Sequence, residues 1–176
     1  MAHAEQIDFC RRIANRWPHL FIGKSVIDCG SLDINGNNRY LFSGGSYLGI
    51  DIVEGPNVDV VTRIHEFSGG KYDVVISTEC FEHDEHFDKT LDRMIQMVAP
   101  EGLLLFTCAT IGRPEHGTKD HDDWASPGTH DYYRNIEPYE VIEPLRKSFR
   151  CWGVELQHTD IYGWGLDLIP KALGPS

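Results

Sequence analysis

Apolar positions along the chain fall into two periods. Residues 4–17 place Ile7, Cys10, Ile13, Ala14 and Trp17 at helical spacing, and Pro18 ends that run. Short apolar runs follow: Ser25 to Cys29, Tyr47 to Ile52, Val58 to Val61, Tyr72 to Ser77 and Leu103 to Thr107. Their length and β-branched content predict strands. A helix is expected near 87–98, where Leu91, Met94, Ile95 and Val98 share a face, and Pro100-Glu101-Gly102 is expected to turn the chain into the next strand. Pro138 suits the first turn of a helix running to Ser148, and residues 151–157 and 162–169 read as a closing strand pair. Nearly continuous apolar strands alternating with helices predict an α/β fold with a mostly parallel sheet covered on both faces.

A chain of 176 residues fits one domain, 1–176, with 1–20 as an N-terminal helical segment. Residues 109–137 are too long and polar for an ordinary connection and are expected to form a substrate-side loop.

A net charge of −11 repels polyanions, and the basic groups Arg11, Arg12, Arg16, Arg146, Lys147 and Arg150 fit solvated helix faces, so nucleic acid is not expected as a partner. No apolar stretch is long enough for a bilayer span, so no membrane partner is expected, and the acidic start offers no export signal. The five cysteines form no CxxC pair, which argues against a zinc finger or a disulfide framework and for a reducing, cytoplasmic location.

Val26-Ile27-Asp28-Cys29-Gly30 puts an acid and a glycine at the carboxyl end of the first strand, where open α/β sheets bind ligands. The second strand ends in Asp51, which is placed to accept from both ribose hydroxyls of a nucleoside. The phosphate fingerprint GxGxxG is absent, and Asp33 would oppose a pyrophosphate. A cofactor with an amino-acid end suits the loop better than a dinucleotide.

VIDCGSLDINGNNRYLF, YLGIDI, YDVVISTECFEH and APEGLLLFT, taken in order, resemble the class I methyltransferases, specifically the type 11-like group, over about residues 22–108. The resemblance implies a Rossmann-like three-layer fold with a seven-stranded sheet whose last strand is antiparallel, and S-adenosylmethionine as cofactor. It implies cofactor contacts at Asp28, Gly30, Ser31, Asp51, Ile52, Ile64 and Thr78. This sequence departs from the family loop at Leu32 and Ile34, shortens the link between the second and third strands to Val53-Glu54-Gly55-Pro56-Asn57, and carries Arg63 where an acid is common.

Glu79, Glu82, His83 and His86 fall at i, i+3, i+4 and i+7, one face of a helix if residues 79–86 are helical. The resemblance extends to methyltransferases with a similar E-x-x-E-H run and a metal beside the acceptor hydroxyl. Glu79, Glu82 and His83 are therefore an alternative metal set, the other readings being His83 as a general base and a purely structural pair. His121 and His130, in the loop after the fifth strand, are further catalytic candidates because imidazole takes a proton near neutral pH.

The expected function is methyl transfer from S-adenosylmethionine to a small-molecule acceptor, a sugar or other hydroxyl compound among the candidates. The alternatives are a metal-assisted O-methyltransferase and a non-catalytic nucleoside-binding module on the same fold. Trp152, Tyr162 and Trp164 are expected to finish the core; a homodimer through them is the other option.

Overall fold

The computed structural model describes residues 4–169; the ends of the expected 1–176 domain lie outside that range. In chain order the elements are α1 (Ala4–Arg16), β1 (Ser25–Cys29), β2 (Ser46–Asp51), β3 (Val60–Val61), β4 (Tyr72–Thr78), α2 (Phe87–Met97), β5 (Val98–Ala109), α3 (Pro138–Ser148), β6 (Phe149–Gln157) and β7 (Asp160–Leu168). The sheet order is β3-β2-β1-β4-β5-β7-β6. β1 through β5 run parallel, and β7 is antiparallel to both β5 and β6. This is the expected Rossmann-like methyltransferase sheet with its last strand reversed.

Alternation along each strand supplies both faces. Ile27, Val75, Leu104 and Phe106 face α2 and α3, meeting Leu91, Met94, Val141 and Leu145. Val26, Val74, Leu103 and Leu105 face the other way, onto Phe9, Cys10 and Ile13 of α1. Tyr162 and Trp164 complete that second layer, and Trp152 packs against the first, so the three aromatics finish the core as expected.

Three local expectations are corrected. The third strand shrinks to Val60–Val61, because Gly55-Pro56-Asn57 turns the chain first. Pro100-Glu101-Gly102 does not end a helix and start a strand. It lies inside β5, where Glu101 has φ 59 and the register against β4 jumps between Tyr72 and Val74. Residues 79–86 are not a helix but a single 3-10 turn, Phe81–His83, entered through a left-handed Glu79 (φ 53).

Glycines let the antiparallel end close. Gly163 lies directly opposite Phe106, and a Cβ there would stand 2.1 Å from the ring. Gly153 likewise makes room for Trp164, and Gly165 for Phe149. Gly163→Ala is therefore expected to cost about 1–3 kcal/mol by overpacking and to lower the thermal midpoint. An unchanged midpoint would mean that the ring yields freely.

Candidate active site

The carboxyl ends of β1, β2, β4 and β5 meet at one rim: Cys29 pairs with Ile50, and Thr78 with Thr107. A cavity of about 610 Å³ opens above them, within the usual range for a small-molecule site. It is walled by Gly30 and Ser31, Asp51 and Ile52, Ile64, Thr78 and His83, all of them expected site residues, with Gln6 and Ile7 of α1 at one side.

Gly30 turns the chain with φ 78, and a Cβ there would strike Cys80 Sγ at 2.5 Å, so the β1 turn and the exit from β4 approach closely only because this residue is glycine. Its amide donates to the Ile50 carbonyl at 2.9 Å. Asp51 accepts from the Leu32 and Val53 amides at 3.0 and 3.1 Å, which ties the first loop to the end of β2; burial raises its pKa. Asp28 is buried beneath them. One of its oxygens accepts from the Tyr47 hydroxyl at 2.6 Å, and the other has no hydrogen-bond partner among the described residues. Burial pushes the Asp28 carboxyl up to about 6, opposed by hydrogen bonds from Tyr47 and Asn57. Asp33 accepts from the Gly36 amide and the Asn37 side chain, both at 2.6 Å, so its charge is held inside the loop. Thr78 accepts from Asn38, which in turn accepts from Gln6.

The acidic and imidazole groups beyond β4 do not form the expected helical face. Glu79 turns back into the sheet, where its carboxylate accepts from the Thr107 hydroxyl at 2.7 Å. His86 points elsewhere, with its ring 4.8 Å from that of His65. Glu82 and His83 instead meet His116 from the long loop: one ligating atom of each lies within 4.8 Å of the others, and all three residues are buried. Among the described residues no side chain hydrogen-bonds to either Glu82 oxygen, though the Glu82 and Ala109 backbone favours its charge, and His83 Nδ1 and His116 Nε2 have no hydrogen-bond partner. His116 Nδ1 lies 3.1 Å from the Pro114 carbonyl; donating there puts the proton on Nδ1 and leaves Nε2 a bare lone pair. Burial, then His116, pulls His83 down to about 3, and burial also lowers His116. Burial and the nearby Glu79 charge drive Glu82 well above the ordinary carboxylate range.

The 110–135 loop folds back over the rim. Gly117 sits against the His83 ring, the Lys119 amide donates to the His130 carbonyl, and Gly128 rests on Ile52 and Val53. His130 lines the cavity, whereas His121 is exposed outside it and pairs through its backbone with Thr118. The sequence patterns do not reveal Asn38, which links Gln6 to Thr78, or Asn57, which donates to Asp28 and to the Ser31 carbonyl. The Gly55-Pro56-Asn57 turn signal was the one available pointer among them.

A family model described as a methyltransferase domain matches residues 1–139. The chain belongs to this family. Among curated relatives, the ubiquinone biosynthesis O-methyltransferase of Rickettsia typhi (strain ATCC VR-144 / Wilmington) is 30% identical over 92 residues, 48% of this chain and 37% of that protein. That of Rickettsia bellii (strain OSU 85-389) is 27% identical over 95 residues, 49% of this chain and 39% of that protein, so the chain spans well under half the length of these relatives in the match. Two solved structures share the fold. Burkholderia thailandensis 1,6-didemethyltoxoflavin-N1-methyltransferase, with bound 1,6-didemethyltoxoflavin and S-adenosylhomocysteine, has a TM-score of 0.62 at 16% identity, covering 90% of this chain and 77% of that one. Magnesium protoporphyrin IX methyltransferase from Synechocystis PCC 6803, with bound SAM, has a TM-score of 0.62 at 14% identity, covering 93% and 79%.

A close contact at Gly117 holds the loop to the site. A Cβ on Gly117 would stand 2.7 Å from both His83 and Ser126, at a φ of +67. Gly117→Ala is expected to lift the loop and speed tryptic cleavage at Lys119, while the global unfolding midpoint moves little. Unchanged cleavage would show that the loop does not depend on this contact.

Proposed function

We propose that the chain transfers the methyl group of S-adenosylmethionine to a small hydroxyl-bearing acceptor, a sugar among the candidates. The observation that carries this reading is the cavity above the β1 and β2 ends, with Gly30, Asp51 and Thr78 in its wall and His83 at its far side. Asp28, Gly30 and Ser31 would hold the methionine part of the cofactor, Asp51 would accept from its ribose hydroxyls, Ile52 and Ile64 would frame its adenine, and Thr78 would line the cavity beside it. Bound there, the cofactor would supply an electrophilic methyl group that an acceptor oxygen would take as the sulfur–methyl bond breaks with its electrons going to sulfur and the hydroxyl proton goes to a base. Positioning supplies most of the acceleration in such a displacement. The narrower type 11-like grouping rests on the four ordered segments of sequence. The cytoplasmic placement rests on five free cysteines, three of them buried.

A second reading is favoured by one specific observation, the convergence of buried Glu82, His83 and His116, with His83 Nδ1 and His116 Nε2 unpartnered among the described residues. A buried imidazole held neutral with suppressed basicity is a weak proton acceptor and a good ligand, and two imidazoles with a carboxylate suit Zn, Fe or Mn. These residues fit a divalent ion, and His116 takes the place expected of Glu79. Bound there, such an ion would lower the pKa of an acceptor hydroxyl. Without it, His130, which lines the cavity, is the group placed to receive the proton.

Calorimetry tests the first reading. Wild type is expected to bind S-adenosylmethionine, and Asp51→Ala to weaken it roughly 10- to 100-fold, the usual worth of hydrogen bonds to a charged acceptor. NAD is expected not to compete. Equal binding by both proteins would remove the ribose role, and no binding by folded wild type would remove the cofactor. For the second reading, a chelator is expected to abolish methyl transfer and one divalent ion to restore it, with cofactor binding intact throughout. Activity that persists in chelator would remove the metal; its loss in His83→Ala would then make His83 a metal-free base, and its survival there would reduce this cluster to scaffold.

A further inference from the structure

The link between β2 and β3, residues 52–59, does more than connect. Within it Asn57 has φ 70, a left-handed conformation that asparagine tolerates better than most. Its backbone carbonyl lies against Gly49, where a Cβ would stand 1.9 Å away, so the link rests directly on β2. Every polar atom of its carboxamide is engaged. Nδ2 donates to Asp28 Oδ2 at 3.3 Å and to the Ser31 carbonyl at 2.8 Å. Oδ1 accepts from Arg39 Nε at 2.8 Å, which fixes the orientation of the amide. Arg39 is held in turn by Asp59 at 3.4 Å and by stacking 4.3 Å from the Tyr47 ring. Leu32, standing where the family loop has a small residue, fills the space above Gly55, and the Asp33 amide donates to Pro56.

We propose that Asn57 is a positioning residue for the cofactor. Its carboxamide clamps the Asp28 carboxylate to the turn at Ser31, so that the second Asp28 oxygen is presented to the ammonium group of the methionine part. This rests on the assignment of S-adenosylmethionine to the cavity. Asp28, near the end of β1, is buried, lines the cavity and has one carboxylate oxygen without a hydrogen-bond partner among the described residues. An ammonium supplies the missing donor, and a charge-assisted contact in a site sheltered from water is stronger than a surface one. The groups that face Asp28 are Tyr47 and Asn57 as donors, Asp51 as a like charge and Arg39 as an opposite one. Without the Asn57 amide, Asp28 loses a donor that favours its charged form, and its protonation moves to higher pH.

Calorimetric titration with S-adenosylhomocysteine between pH 5 and 8 tests the clamp on wild type, Asn57→Gly and Asn57→Asp. Glycine keeps the left-handed backbone and removes the amide; aspartate keeps the shape and adds a second carboxylate. Asn57→Gly is expected to weaken binding roughly tenfold and to raise the pH at which affinity is lost on acidification. Asn57→Asp is expected to weaken binding further, and it carries the test alone if Asn57→Gly fails to fold. A purely structural role would lower the unfolding midpoint without moving that acid limb. A folded variant with wild-type affinity and the same acid limb overturns the clamp while leaving the cofactor assignment standing. Failure of folded wild type to bind at all overturns both.

Discussion

A sheet covered on both faces leaves its strands nowhere to keep polar side chains except at their ends. β1, β4 and β5 are buried along most of their length, and a lone polar group in that interior would cost several kcal/mol without a partner. The chain therefore concentrates its polar groups beyond the apolar stretches, at the carboxyl rim, where the strand amides and carbonyls run out of neighbours. Asp28, Asp51, Thr78 and Glu79 all sit at or just past such an end. The cavity follows from that burial: the rim is where polar chemistry can be placed and where loops must supply the remaining hydrogen bonds.

What was legible in the sequence tracks how local each feature is. α1 and α3 were readable from apolar spacing and from prolines at their boundaries, because those signals act within a few residues. Asp28, Gly30 and Asp51 were readable because a strand end followed by glycine, and a second strand ending in an acid, are themselves local patterns. The stripe at Glu79, Glu82, His83 and His86 was misread for the same reason. Its spacing matches a helix, but Glu79 is drawn out of helical conformation toward Thr107 on β5, and His83 toward His116. Neither partner is visible within the run. The same blindness hid Asn57, whose importance lies in contacts to residues 18 to 29 positions away.

The loop after β5 shows how such distant contacts organise the site. It begins with a bridge between Thr110 and Ile136 that closes its base, and Arg134 donates its amide to the Glu82 carbonyl. One end of the loop thus holds the turn that carries Glu82 and His83, while Gly128 reaches Ile52 at the cofactor side. A single segment thus touches both halves of the cavity.

The fitting of aromatic rings over glycines in the last two strands has an evolutionary consequence. Phe106 and Gly163 share one volume across the β5–β7 pair, as Trp164 and Gly153 do across β6–β7. Enlarging the glycine alone overpacks the site, and shrinking the ring alone leaves a hole, so each single step is disfavoured where the paired step is tolerated. Neighbours that share space in this way are non-additive. Drift at this edge of the sheet should then proceed by correlated double changes, leaving a covariation signal at positions that carry no chemistry.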